Sequence, residues 1–330
     1  MMTPRENAMA IYNHEQPDYY DDLMNALVLL PDPILMSGHC PQDGLPHKDI
    51  WGVEYMWKPG APGPHPHITD DNKAISDIEK WEEQLHVPSL EGLDWGPAKD
   101  VESKVDRREK MVCIMFGGGL FERSHFMMGM EDAFINYLTY PDEMKAFLRV
   151  IADWKIEYIR QMAREVHPDI IFYHDDWGSK QNVFLPPPVW RDIIKPLQQE
   201  ISDVIHECGM IYMHHADCIC QPLVEDMVEI GVDIWQGVIA QNDIVAIQEI
   251  TKGKLAMVGG IDGPKIDVAD ITEEEIRAEV RHAIDTYCPR GRFYPGIPNG
   301  ICFREWNNSI FMDELKKYGR QYALEHPIIK

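Results

Sequence analysis

Residues 210–220 read MIYMHHADCIC, and the fold can be read from how that run ends. Met210 to Met213 form a short apolar run with no polar alternation, the pattern of a strand buried on both faces. His214, His215, Asp217, Cys218 and Cys220 follow at once, five metal-capable side chains within seven positions. Pro222 then opens the helical stretch PLVEDMVEIG (222–231), with Gly231 placed where a helix stops. In α/β proteins such strand-to-helix turns collect catalytic side chains. A lone buried His or Cys is usually a packed core residue. Five polar groups together are harder to bury, because each costs kilocalories without a partner, so the cluster reads as a metal or catalytic site. Its spacing is neither that of a zinc finger nor that of a redox Cys-x-x-Cys.

Outward from this turn the chain alternates. Strand-like runs at 111–119, 170–176, 210–215, 232–237, 255–262 and 292–298 are separated by helical stretches at 142–166, 188–208, 221–230, 243–251 and 272–287, with a last helix at 306–325. Asp142-Glu143 and Thr272-Glu273-Glu274-Glu275 put acids in first helical turns, where the helix dipole favours them. Repeated strand–helix units with apolar strands imply a parallel sheet. ILMSGHC (34–40) reads as the first strand, ending at His39 and Cys40, and 41–100 leaves room for an eighth. The expectation is an α/β fold, a (βα)8 TIM barrel forming one domain over 1–330. No Gly-x-Gly-x-x-Gly follows a first strand with an acidic residue beyond it, which removes the support for a dinucleotide fold. Residues 1–30 read as an N-terminal helical extension, with Thr3 as cap and Pro4 in the first turn. Residues 41–100 read as a long, irregular insertion. A loop that long inside a compact chain is a lid or pocket wall, and the closeness of Trp51, Tyr55 and Trp57 supports that.

Composition narrows the partners. A formal charge of −24 speaks against nucleic acid and against an anionic membrane surface. No apolar run approaches the roughly 20 residues that span a bilayer, and the N-terminus has no signal-like apolar segment. Seven scattered cysteines fit reduced thiols and a cytoplasmic protein.

In a barrel the polar residues at strand ends converge on one mouth. Here they are His39 and Cys40, the Gly117–Gly119 loop with Glu122 and Arg123, His174-Asp175-Asp176, and then His215, Asp217 and Cys218. Gln236, Asp262, Asn299 and Cys302 complete the set. The three glycines lack a following Gly-Lys-Ser/Thr, so they suit close backbone approach better than a phosphate cradle. His174, Asp175 and Asp176 read either as groups that orient a substrate and protonate a leaving group, or as a hydrogen-bond network at the barrel end.

Several blocks carry a family resemblance. MTPRENAMAIYNHEQPD (2–18), DIWGVEY (49–55), ERSHFMMGMED (122–132), HDDWGSKQNVFLPPPVWRDIIKP (174–196) and HHADCICQPLVEDMVEIGVDIWQ (214–236) together resemble the uroporphyrinogen decarboxylase superfamily, in order and nearly end to end. More narrowly, the chain is similar to the branch of zinc-dependent, corrinoid-linked methyltransferases that demethylate methoxylated aromatics and other small methyl donors. The resemblance implies a TIM barrel with its active site at the mouth. The decarboxylases carry an arginine motif near the first strand. This chain has MSGHCPQDG (36–44) there, without an arginine, which argues against a polyanionic tetrapyrrole. The methyltransferases carry His-x-Cys at the strand matching 210–215 and a second Cys near the C-terminus. By that match His215, Asp217 and Cys302 are the metal ligands, with Asp217 in the place of a cysteine and Cys218 as the alternate. The implied cofactors are Zn²⁺ and a cobalamin carried by a partner corrinoid protein, since this chain has no Asp-x-His-x-x-Gly of its own to hold it. The implied reaction moves a methyl group from a small methoxylated donor to cobalt. His174, Asp175 and Asp176 would serve catalysis. Trp51, Tyr55, Arg123, Phe126, Trp177 and Gln236 would bind the substrate, with Trp57 and Phe121 adding aromatic surface suited to a planar ring. The alternatives are a metal-free decarboxylase of a smaller acid and a catalytically silent binding protein.

Overall fold

In a computed structural model, which describes residues 1–37, 40–61, 63–299, 302 and 304–328, the apolar runs become one parallel sheet of seven strands. Its members are β1 (Leu27–Leu30), β5 (Met111–Phe116), β6 (Ile170–His174), β7 (Ile211–His215), β8 (Ile234–Val238), β9 (Ala256–Gly260) and β10 (Phe293–Gly296), adjacent in that order. Between β1 and β5 the chain forms a separate antiparallel sheet of β2 (Pro46–Lys48), β3 (Glu54–Met56) and β4 (His65–Pro66). Strictly sequential parallel order, with helices in the connections, is the arrangement of a TIM-barrel-like α/β fold. Among the described residues no eighth strand joins this sheet. No helix of the described residues is long and apolar enough to cross a membrane.

Three expectations about the first hundred residues need correction. The first strand is Leu27–Leu30, not 34–40, and Pro33–Ser37 is helical. The cause is local: Asp32 accepts from the backbone N–H of Ile34 (2.7 Å) and Leu35 (3.2 Å), and Pro33 suits a first helical position. His39 lies outside the described residues. Nor is 1–30 continuously helical. The capping box of Thr3 and Glu6 supports only Pro4–Tyr12, and a 3-10 turn, Leu23–Ala26, leads into the strand. The insertion, finally, is more regular than a loop, since β2, β3 and β4 pair within it.

The helix Pro141–Val166 packs on the β5 side of the sheet, where the Phe116 ring lies 5.4 Å from that of Tyr158 and 6.4 Å from that of Trp154. Phe147, Leu148, Ile151, Tyr158, Ile159 and Met162 recur at helical spacing and are fully buried. Each such side chain contributes about 1.5–3 kcal/mol through burial. Lys155 sits among them, 2% exposed, and is the one cation on that face.

The last helix, Glu305–Glu325, closes against the N-terminal arm where Tyr20 N–H donates to Gly319 O at 3.2 Å. A Cβ at Gly319 would stand 2.1 Å from the Tyr20 carbonyl oxygen, and that backbone cannot move aside without breaking its own contact. Gly319→Ala is expected to cost on the order of 1–3 kcal/mol by overpacking. An unchanged denaturation midpoint would show that the arm is not clamped at this point.

Candidate active site

Strand register assembles the site. His174 on β6 pairs with His215 on β7, which pairs in turn with Gln236 on β8. Neighbouring strands therefore place these side chains in one row at the sheet's C-terminal end. The two imidazoles stack with centroids 4.2 Å apart and an interplanar angle of 25°. Gln236 donates through Nε2 to Pro298 O at 2.8 Å, which turns its Oε1 toward His215 Nδ1 in a close hydrogen bond. His174 Nδ1 meets Glu122 Oε2 at 3.0 Å. Each ring is thus oriented through Nδ1 by an oxygen acceptor, leaving Nε2 for another partner. This is the support that metal-binding histidines need.

Asp176 lies two residues beyond β6, and its Oδ1 accepts the Asp217 N–H at 2.9 Å. His174, Asp176 and His215 offer ligand atoms that all lie within 4.8 Å of one another. Two metal–ligand bonds of about 2.0–2.2 Å span most of that distance. The charges are tightly linked. Burial alone would lower the His174 pKa, but the charge and hydrogen bond of Glu122 outweigh it and hold it up to about 9. Glu122 in turn stays ionised below its ordinary range in spite of burial. Burial, and then the His174 charge, push His215 down to about 4, so it is a neutral imidazole at neutral pH. Burial and the Glu122 charge raise Asp176 to about 7.

The other expected ligands have partners of their own, although Asp217 adjoins the cluster through its N–H to Asp176. The Asp217 carboxylate pairs with Lys180 at 3.0 Å. Cys218 Sγ is buried 3.4 Å from Cys220 Sγ, and that contact and burial together push its thiol far up. Cys302 Sγ lies 3.8 Å from Arg304 O, with burial and the Asp267 charge raising its thiol to about 11. His214 points into the core between the Tyr212 hydroxyl (2.9 Å) and Asp175 O (3.1 Å).

Asp175, expected among the catalytic groups, points away from this row. Its carboxylate, fully buried, accepts from Phe121 N (3.2 Å), Glu122 N (2.8 Å) and Trp177 Nε1 (3.0 Å). It therefore closes the N-terminus of the helix Leu120–Met128, which carries Glu122. A Cβ on Gly119 would lie 2.1 Å from the Asp175 Cβ, so the close backbone approach expected of the glycine run is met here.

Beside the row opens a cavity of about 680 Å³ whose lining includes His174, Asp176 and Glu122. Trp51, Tyr55, Trp57 and Phe126 give it an aromatic wall, and residues of the small antiparallel sheet form one side. Arg123 also lines it, but its Nη1 is taken by Asp49 at 2.7 Å and its guanidinium lies over Trp51 at 5.4 Å. The other expected substrate contacts do not line this cavity. Trp177 packs against Trp190 (4.7 Å) and His214 (4.0 Å), Phe121 stacks on Phe184 (5.4 Å), and Gln236 serves His215. Lys155 does line it and was missed from sequence. Its signal was there: a lone lysine four residues after Ile151 and four before Ile159, on the apolar face of a helix.

Comparison with known proteins places the chain. The family model of uroporphyrinogen decarboxylase (URO-D) matches residues 51–294. No curated protein sequence matches it significantly. Among solved structures it is similar to a methyltransferase from Methanosarcina mazei, with a TM-score of 0.72 and 15% sequence identity, over 96% of this chain and 99% of that one. At that identity the likeness is one of fold.

Proposed function

The chain belongs to the uroporphyrinogen decarboxylase (URO-D) family, and on that premise we propose that it is a methyltransferase, carrying a methyl group from a methoxylated aromatic donor to the cobalt of a corrinoid protein. The observation that carries this reading is the meeting of His174, Asp176 and His215 at an aromatic-walled cavity. Two imidazoles and a carboxylate form a donor set that suits Zn²⁺. His174, Asp176 and His215 would hold the ion. This set keeps His215 from the family resemblance and replaces Asp217 and Cys302. When bound, zinc supplies a Lewis acid that stabilises negative charge growing on the leaving oxygen.

The rest falls to the chain's own side chains. Glu122 and Gln236 fix the two rings through Nδ1, so that Nε2 of each is left for the ion without a search through rotamers, with His174 at the cavity wall. Trp51, Tyr55, Trp57 and Phe126 take the faces and edges of a planar ring, each good contact worth about 0.5–1.5 kcal/mol beyond area burial. They also keep water from the methyl carbon as its bond to oxygen breaks. The corrinoid, when bound, would supply the nucleophile that takes the methyl group; the bonding pair stays on the ether oxygen, and the resulting phenolate takes a proton from solvent on release. The corrinoid belongs to the partner.

A donor panel tests this. Methoxybenzenes and methoxyphenols are expected to methylate cob(I)alamin about tenfold or more faster than methanol or methylamines, which cannot use the aromatic wall. Equal or better turnover of the aliphatic donors would contradict the assignment. A metal-free decarboxylase, the second reading that family membership suggests, would work without the ion, so activity after chelation separates the two.

A further inference from the structure

The proposed chemistry leaves Lys155 without a task. Its ammonium is buried at 2% exposure, lines the cavity, and donates to Gly118 O at 2.6 Å. The rings of Phe116 and Tyr173 lie 4.1 and 5.2 Å from Nζ. An ammonium has three N–H donors, and one carbonyl oxygen satisfies one of them. Among the described residues it forms no ion pair. The four carboxylates that share the cavity are engaged with other partners: Asp49 with Arg123 (2.7 Å), Glu122 with His174 (3.0 Å), Asp32 with the Tyr158 hydroxyl (2.7 Å) and two backbone N–H groups, and Asp176 with the Asp217 N–H (2.9 Å). Burial, and then the charge of Arg123, push Lys155 down to about 7, opposed by Asp175, Glu122 and Asp32. A buried cation with spare donors, facing a cavity large enough for a ligand, is an unfinished pair, since burying charge without a counter-charge is costly.

We propose that Lys155 is the anchor for a carboxylate on the substrate, so that the donor is an aromatic carboxylate carrying a methoxy group. A benzoate places its anion in the ring plane, where the carboxylate can accept Nζ–H donors in place of the missing internal counter-charge. The aromatic wall holds the ring, and the methoxy group is directed to the part of the cavity bounded by His174 and Asp176. Arg123, expected from sequence to bind the substrate, is neutralised by Asp49. The methoxy half of this statement rests on the methyltransferase reading, whereas the carboxylate half does not.

The test is direct binding, followed by calorimetry and by quenching of the fluorescence of the cavity tryptophans. The ligands are para-methoxybenzoate and its neutral methyl ester. Wild-type protein is expected to bind the acid about tenfold or more tightly than the ester, the scale of one hydrogen bond to a charged group. Lys155→Met, which keeps the volume and removes the charge, should abolish that preference while ester binding holds. Equal affinity for acid and ester in wild type, a preference that survives Lys155→Met, or no binding of either ligand would overturn the proposal. Should Lys155→Met not fold, a crystal structure of wild-type protein with para-iodobenzoate decides: the carboxylate lies within hydrogen-bond distance of Lys155 Nζ, or the proposal fails. Tight, Lys155-dependent binding without methyl transfer would leave the anchor standing and remove the methyltransferase reading alone.

Discussion

On the proposed zinc site, His215→Ala is expected to abolish metal binding and lower methyl transfer by about a thousandfold or more, with little change in fold. The magnitude follows from the Lewis-acid role, which supplies several kcal/mol at the transition state, at about 1.4 kcal/mol per tenfold in rate. The fold should survive because β7 is held by ladders to β6 and β8 on both sides, and the imidazole is one side chain at their end. Metal content by elemental analysis and the rate of cob(I)alamin methylation are the readouts. Gln236→Leu should act more gently, by about 10–100-fold, since it removes the oxygen that orients His215 and not the ligand. Asp217→Asn and Cys302→Ser should keep the metal, because both side chains are engaged elsewhere. Loss of metal in those two with retention in Asp176→Asn would restore the ligand set that the family resemblance implies.

Asp175→Ala will destabilise the protein by about 3–5 kcal/mol. The carboxylate receives three donors in a fully buried position, and each buried donor left without a partner costs about 1–3 kcal/mol, part of which relaxation recovers. The helix Leu120–Met128 would lose its N-terminal acceptor, and Glu122, the partner of His174, rides on its first turn. Activity should therefore fall together with stability. Asp175→Asn, which keeps one acceptor oxygen, should fall between. Urea denaturation measures the cost. A group whose only work is proton transfer would lose rate at unchanged stability, and that outcome would return Asp175 to the catalytic role read from sequence.

The two predictions mark where sequence reading reached and where it stopped. The alternation of apolar runs with helical stretches announced the parallel sheet, because strands buried on both faces cannot hide their composition. The first strand was misplaced because LVLL (27–30) and ILM (34–36) are both short apolar runs. What separates them is Asp32-Pro33, a cap followed by a residue suited to a helix start. The run at 214–220 promised five ligands. A pleated strand sends neighbours to opposite faces, however, so His214 enters the core while His215 faces the mouth. Its companions come from the end of β6, brought level by a register that is a long-range property of the sheet. The aromatic wall was partly legible: Trp51, Tyr55, Trp57 and Phe126 line the cavity, while Trp177 and Phe121 are packing. Lys155 was overlooked because a lysine within a long amphipathic helix is ordinarily a solvated one, and only the packing shows that this one faces inward.

The central claim is that this chain moves a methyl group and leaves any carboxyl group in place. Anaerobic incubation of zinc-loaded protein with cob(I)alamin and para-methoxybenzoate, carbon-labelled in the methyl group in one sample and in the carboxyl group in another, tests it directly. The account predicts the methyl label on cobalt and the carboxyl label retained in a hydroxybenzoate product. Carboxyl label released as carbon dioxide, with the methyl label still on the ring oxygen, would contradict it.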